Sequence, residues 1–144
     1  MKRVVVLTGA GISAESGIST FRDSGGLWEQ HRVEDVASIE GWHRNAELVQ
    51  EFYNQRRKAM IAAKPNEGHL QLVRLEQYYD VHIITQNVDN LHERAGSKNI
   101  IHLHGELTKA CSERNHNYVV NIEGWELKHG TLAPDGGRLR PFIV

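Results

Sequence analysis

Gly9-Ala10-Gly11-Ile12-Ser13-Ala14 follows an apolar run and opens a helical turn at the spacing GxGxxA. Gly9 permits a tight turn, Gly11 lets the backbone approach a pyrophosphate, and Ala14 keeps helix and strand close. Free N–H groups at the helix start then hold the anion. A nucleotide diphosphate is the natural ligand; an ordinary glycine turn is the alternative. In a dehydrogenase the helix would run on to a second strand with an acidic residue about 20 positions after the glycines. Here Ser16-Gly17 interrupts the helix, Ser19 to Gly26 makes a loop, and Glu29 has no apolar strand before it, so hydride transfer loses its support. Phe21 and Arg22 could shield a reactive sugar centre and balance phosphate charge, with solvated loop residues as the alternative.

Gln86-Asn87-Val88-Asp89 follows the apolar run Val81 to Thr85, at the strand end where open α/β sheets bind ligands. An amide and a carboxylate two residues apart can contact a ring carboxamide and position a water or ribose. They can equally cap the helix that starts near Asn90. His104 is expected to end the next strand and emerge at the same sheet edge, with a pKa suited to proton transfer near neutrality; His102 would share its face of that strand. On the long helix between the first two strands, Val49, Phe52, Tyr53, Arg56 and Met60 fall in one stripe, while Arg57 and Lys58 are expected to point elsewhere. A core-facing Arg56 needs a carboxylate partner, and Tyr53 at i−3 could add a hydrogen bond, a pair that suits an acyl chain ending in a carboxylate. An arginine that snorkels outward or pairs with an internal acid is the alternative.

The elements that must position these residues read as an α/β fold with a Rossmann-like parallel sheet. Arg3–Thr8, Val81–Thr85 and Ile100–His104 are the strands, the first of them a β-branched run expected to be buried on both faces. Trp42–Ala63 and Glu67–Tyr78, divided at Lys64-Pro65 with Asn66 as N-cap, give a helical insertion over residues 42–79. Asn90 to Ala95 is a short helix stopped by Gly96. Residues 111–137 lose periodicity and form a small irregular module, within a single domain over 1–144. Leu139 to Val144 reads as a buried strand after a Gly136-Gly137 turn; it gives the expectation of a chain that stops partway through its fold, with a short C-terminal edge strand as the alternative.

Composition narrows the partners. Seventeen basic and 18 acidic residues leave a net charge of −1 with no basic field, so neither nucleic acid nor an anionic membrane surface is expected as a partner. No apolar run approaches the roughly 20 residues of a bilayer span. The single cysteine, Cys111, excludes an internal disulfide, and a soluble protein of the reducing cytoplasm is expected.

Gly9 to Asp23, GAGISAESGISTFRD, closely resembles the first signature of the sirtuins, the NAD-dependent protein lysine deacylases. Thr85 to Gly96 is similar, nearly residue for residue, to a second sirtuin signature, and Leu103-His104-Gly105 resembles the segment that carries the family's catalytic histidine. Tyr53-Asn54-Gln55-Arg56 looks like the Tyr-x-x-Arg pair of the class that prefers acidic acyl groups. The resemblance implies NAD as co-substrate and acylated lysine in proteins as partner. It makes Gly9, Ala10, Gly11, Ser13, Ala14, Phe21, Arg22 and Gln86 to Asp89 the NAD contacts, with Asn87 and Asp89 on the nicotinamide and its ribose. Tyr53 and Arg56 become substrate contacts, Asn87 a catalytic residue, and His104 the base toward a ribose hydroxyl. The acyl group, acetyl, succinyl or malonyl, would pass to ADP-ribose with release of nicotinamide. The chain departs from the family pattern at Ser19, where proline is usual, and at the small module, which has one cysteine in place of two pairs, so zinc is not expected. The family also continues with further strands past the point corresponding to Val144. A non-catalytic NAD-binding or interaction fragment and a protein ADP-ribosyltransferase stay open beside the deacylase reading.

Overall fold

The computed structural model describes residues 1–18, 27–28 and 31–144. Along the chain run β1 (Arg3–Thr8), α1 (Ala10–Ala14), β2 (Leu27–Trp28), β3 (His31–Arg32), α2 (Val33–Val36), α3 (Ile39–Arg44) and α4 (Ala46–Ala62). They are followed by α5 (Glu67–Leu75), β4 (Asp80–Thr85), α6 (Leu91–Ala95), β5 (Ile100–His102), β6 (Gly105–Ser112), β7 (Val119–Asn121) and β8 (Leu139–Ile143). β1, β4 and β5 form a parallel sheet in the order β1-β4-β5, the α/β architecture read from the β-branched runs.

The register Val4↔Val81 and Val6↔Ile83 gives the sheet one inward face, on which Val81 and Ile83 are almost wholly buried. The opposite face is open: Val5 is 59% and Leu7 66% exposed, and Ile101, on the same face through Leu7↔Ile84↔Ile101, is 58% exposed. The expectation that β1 is buried on both faces therefore fails among the described residues; a β-branched run shows that a strand packs, not on how many sides. β5 also ends at His102, so Leu103 and His104 lie in the turn to β6.

The helical region starts earlier and breaks once more than its periodicity predicts. Asn45 ends α3 and caps α4, its side chain accepting from the Leu48 amide. Asn66 caps α5 as expected, and His69 completes a capping box by accepting the Asn66 amide at Nδ1. Val36, Trp42, Val49, Phe52, Tyr53, Met60 and Leu107 make the main core. The closing segment is a strand as read, but it pairs antiparallel with β6 in a second sheet, ordered β7-β6-β8, and not with the parallel one.

Arg57 does not point away from the core as its helical phase suggested; it is 1% exposed. Its Nε donates to the Leu107 carbonyl at 2.7 Å, and its Nη1 to the Asn54 side chain at 2.8 Å and the Trp125 carbonyl at 2.9 Å. Asn54 exchanges hydrogen bonds with both backbone groups of Leu127, and Gln50 donates to the Leu139 carbonyl. The second buried flank of α4 is thus polar, and it satisfies backbone in the irregular segment that a smooth stripe count cannot anticipate. Glu113 adds a two-pronged pair with Arg138, at 2.8 and 3.0 Å, and accepts from Trp42.

Asn54→Ala leaves the Leu127 amide and carbonyl unmet and is expected to destabilise by about 1–3 kcal/mol for each buried group stranded, read by urea unfolding. The Arg138 hydrogen bond holds the Glu113 carboxyl down at about 2, against an ordinary 4.5. The stabilisation is complete above 4.5 and lost as pH falls toward 2. Glu113→Gln should flatten that acid limb in a pH series of unfolding curves.

Candidate functional site

Thr8↔Thr85 is the last register pair of β1 and β4, so the glycine turn and the Gln86–Asp89 segment leave the sheet side by side. Gly9 is extended (φ −140°), a conformation open to any residue, but a Cβ there would sit 3.4 Å from Gln86 Oε1. That is an ordinary contact with a side-chain end, so neither the backbone angle nor packing within the protein demands glycine here. α1 starts with no side-chain cap, and a Cβ on Gly11 would meet nothing within 4 Å, leaving the first-turn backbone open to a ligand.

A buried polar network sits behind that turn. Ser13, 1% exposed, donates from Oγ to Asp89 Oδ2 at 2.8 Å, and the other Asp89 oxygen accepts the Leu91 amide at 3.0 Å. Asp89 thus meets the capping expectation, accepting at the first turn of α6, and is also tied to α1 through Ser13. The Asn87 side chain donates to the Gly9 carbonyl at 2.9 Å, and its amide donates to Thr85 Oγ1. His69 accepts at Nδ1, so the proton sits on Nε2, 3.4 Å from Ser13 Oγ; His92 Nε2 lies 2.9 Å from Thr8 Oγ1. His69 and His92 escaped the sequence reading. The one available signal was the position of His69, three residues after the Asn66 cap.

A cavity of about 260 Å³ opens beside this network. Ala10, Ser13, Gln86, Asn87, Val88 and Asp89 line it together with Tyr53, Arg56 and His104, and Met60 and Leu107 add apolar surface. The structure therefore gathers most residues singled out by type and spacing. Gly9, Gly11 and Ala14 shape the turn without lining the cavity, and Phe21 and Arg22 lie outside the described residues. His104 enters from the β5–β6 turn, whereas His102 turns into the protein. Burial pushes the Tyr53 phenol up to about 12, against the opposing charges of Arg56 and Arg140, so it is a neutral donor beside a guanidinium that is 8% exposed. Cys111 lies opposite Arg140 on β8, its thiol pushed up by burial. Among the described residues, the one group of three or more His, Cys, Asp or Glu side chains within ligand distance of one another is Glu93, His102 and Glu106, which does not include Cys111.

A parallel sheet whose strand ends carry an open glycine turn and an Asn-Val-Asp segment defines an α/β protein of the class that binds ligands at its strand ends. The Sir2 family profile matches residues 9–133, and the chain belongs to that family, the sirtuins. A protein of Bacteroides thetaiotaomicron named NAD-dependent protein deacylase is 60% identical over the whole of this chain and 64% of its own length. One of the same name from Helicobacter pylori J99 is 56% identical, with 61% of its length covered. Among solved structures, a Sir2 homologue–NAD complex superposes with a TM-score of 0.89 at 40% identity, over 99% of this chain and 57% of that one. A Sir2 homologue mutant bound to ADP-ribose gives the same TM-score at 41% identity, with 99% and 58% covered. The chain thus spans about three fifths of the length of these relatives. Among the described residues, no helix is long and apolar enough to cross a membrane.

Burial lowers the pKa of both His69 and His92 from 6.5, opposed at each by the charge of Asp89. The unfolded chain therefore takes up these protons first as pH falls, and their stabilisation is lost below 6.5. The gap in unfolding free energy between the protein and a His69→Gln/His92→Gln double variant should narrow from about pH 7 to about pH 5.

Proposed function

We propose that the protein is an NAD-dependent protein-lysine deacylase that prefers acyl groups ending in a carboxylate. The observation that carries this reading is the shared cavity, which Ser13, Asn87 and Asp89 line together with Tyr53, Arg56 and His104. The uncapped start of α1 and the open space at Gly11 suit a pyrophosphate, and the Asn87 and Asp89 side chains suit the nicotinamide end of the same molecule. Ala10 and Gln86 line the same cavity, Gly9 and Ala14 shape the turn beside it, and Phe21 and Arg22 are assigned to the NAD contacts from the resemblance alone. Bound NAD supplies the ADP-ribose that accepts the acyl group as nicotinamide leaves.

The chain's own residues then have separate tasks. Asn87 and Asp89 orient, both anchored by hydrogen bonds to the turn and to α6. His104, exposed at the cavity mouth, takes a proton from a ribose hydroxyl at its imidazole. Arg56 pairs with the terminal carboxylate of a succinyl or malonyl chain, and the neutral Tyr53 phenol donates to the same group. Acylated lysines in proteins are the substrates.

Nicotinamide release from NAD with succinylated and acetylated peptides tests this. His104→Ala should lower kcat by about 10²–10⁴-fold with little change in NAD binding, and retained turnover would remove it as the base. Arg56→Met should cut desuccinylation by about 10–100-fold and deacetylation far less, as loss of a charged hydrogen bond predicts; equal losses would refute the acidic-acyl pocket. Transfer of ADP-ribose to the peptide, seen by mass, would replace deacylation by the transferase reading.

A further inference from the structure

One histidine noted in the sequence has no place in the cavity. His102 closes β5 with its side chain 7% exposed. Its Nδ1 lies 2.8 Å from the Asn87 backbone carbonyl, and its Nε2 lies 2.6 Å from Oε2 of Glu93 on α6. A carbonyl oxygen only accepts, so Nδ1 carries a proton; an ionised carboxylate only accepts, so Nε2 carries one too. Only the imidazolium makes both bonds. The charged and titratable groups facing the ring are Glu93 and His92 from α6 and Glu106 from β6, the last 3.8 Å away and paired with Lys109 at 2.9 Å. Burial alone would lower the His102 pKa, but the bonds to Glu93 and the Asn87 carbonyl and the charges of Glu93 and Glu106 outweigh it and raise it above 6.5.

The Asn87–Val88 peptide is trans, so the Val88 amide points opposite to the carbonyl that His102 holds. Asn87 and Val88 line the cavity and His102 does not. The Val88 carbonyl already accepts the Leu107 amide at 2.8 Å, while among the described residues no protein acceptor takes the Val88 amide. We propose that protonated His102, braced by Glu93, is a positioning residue: it fixes the Asn87–Val88 peptide and aims the Val88 amide into the cavity as a donor to the ligand. The inference rests on the NAD-dependent reading of that cavity. A positive charge on the carbonyl side also polarises the peptide and strengthens the amide as a donor. Loss of the proton leaves one ring nitrogen a lone pair facing an acceptor, so one of the two contacts breaks, and ligand affinity falls with it.

Two measurements test this on the same protein. Without ligand, the amide shift of Val88 is followed by NMR from about pH 5.5 to about pH 9, alongside the His102 ring. Both should share one midpoint above 6.5; Glu93→Gln should move both midpoints down, and His102→Gln should abolish the Val88 response. With NAD and an acylated peptide, KM for NAD should rise at least about threefold as His102 deprotonates while kcat changes less, and Glu93→Gln should bring that rise to lower pH. A Val88 amide that ignores His102, or a KM profile unmoved by Glu93→Gln, overturns the inference. If no form releases nicotinamide, the deacylase reading fails by itself, and the ligand-free titration still decides whether His102 sets the peptide.

Discussion

Buried backbone must be hydrogen-bonded, and in this fold one helix meets that demand at several points around the small antiparallel sheet. Gln50, Asn54 and Arg57 follow one another along α4 and reach carbonyls of Leu139, Leu127, Trp125 and Leu107, on three separate stretches of chain. Arg57 keeps a pKa near 10 despite burial, so it stays charged at neutrality with its Nε and Nη1 committed to backbone or to Asn54. The other flank of the same helix presents Tyr53, Arg56 and Met60 to the cavity. One rigid element therefore holds both the small antiparallel sheet and part of the cavity lining, and the distance between the two is fixed by helix geometry.

The part of the lining that follows β4 depends on strand register. Because β1 and β4 end together at Thr8 and Thr85, Asn87 can bond the Gly9 carbonyl and Asp89 can reach Ser13. Asp89 divides its two oxygens between Ser13 and the first turn of α6, so helix α1, the loop after β4 and helix α6 meet on one carboxylate. His69 and His92, neutral at physiological pH because burial disfavours their charged forms, fill the space behind it without adding charge.

Local chemistry was legible in the sequence and long-range packing was not. The glycine turn, the parallel strands, the Asn66 cap and the Gly96 stop, which takes φ +113°, follow from rules that act within a few residues. So does the grouping of Asn87, Asp89 and His104 at one sheet edge. The exposed face of β1 is invisible because β-branched residues mark a packed strand and not the number of its covers. Arg57 was misplaced because a helix buried on two flanks breaks the single-stripe assumption, and its partners are backbone atoms, which carry no sequence signal. His102 and His104 share residue type and neighbourhood; they part only because β5 stops between them and the chain turns.

The contacts that build the site join residues far apart along the chain: Ser13 to Asp89 spans 76 positions, and Thr8 to His92 spans 84. Closing such loops costs chain entropy before any contact rewards it, so the parallel pairing of β1 with β4 belongs late in folding. No half-formed version of the cavity can exist on α4 or on the glycine turn alone. The cavity lining and the completed sheet therefore rest on the same long-range contacts.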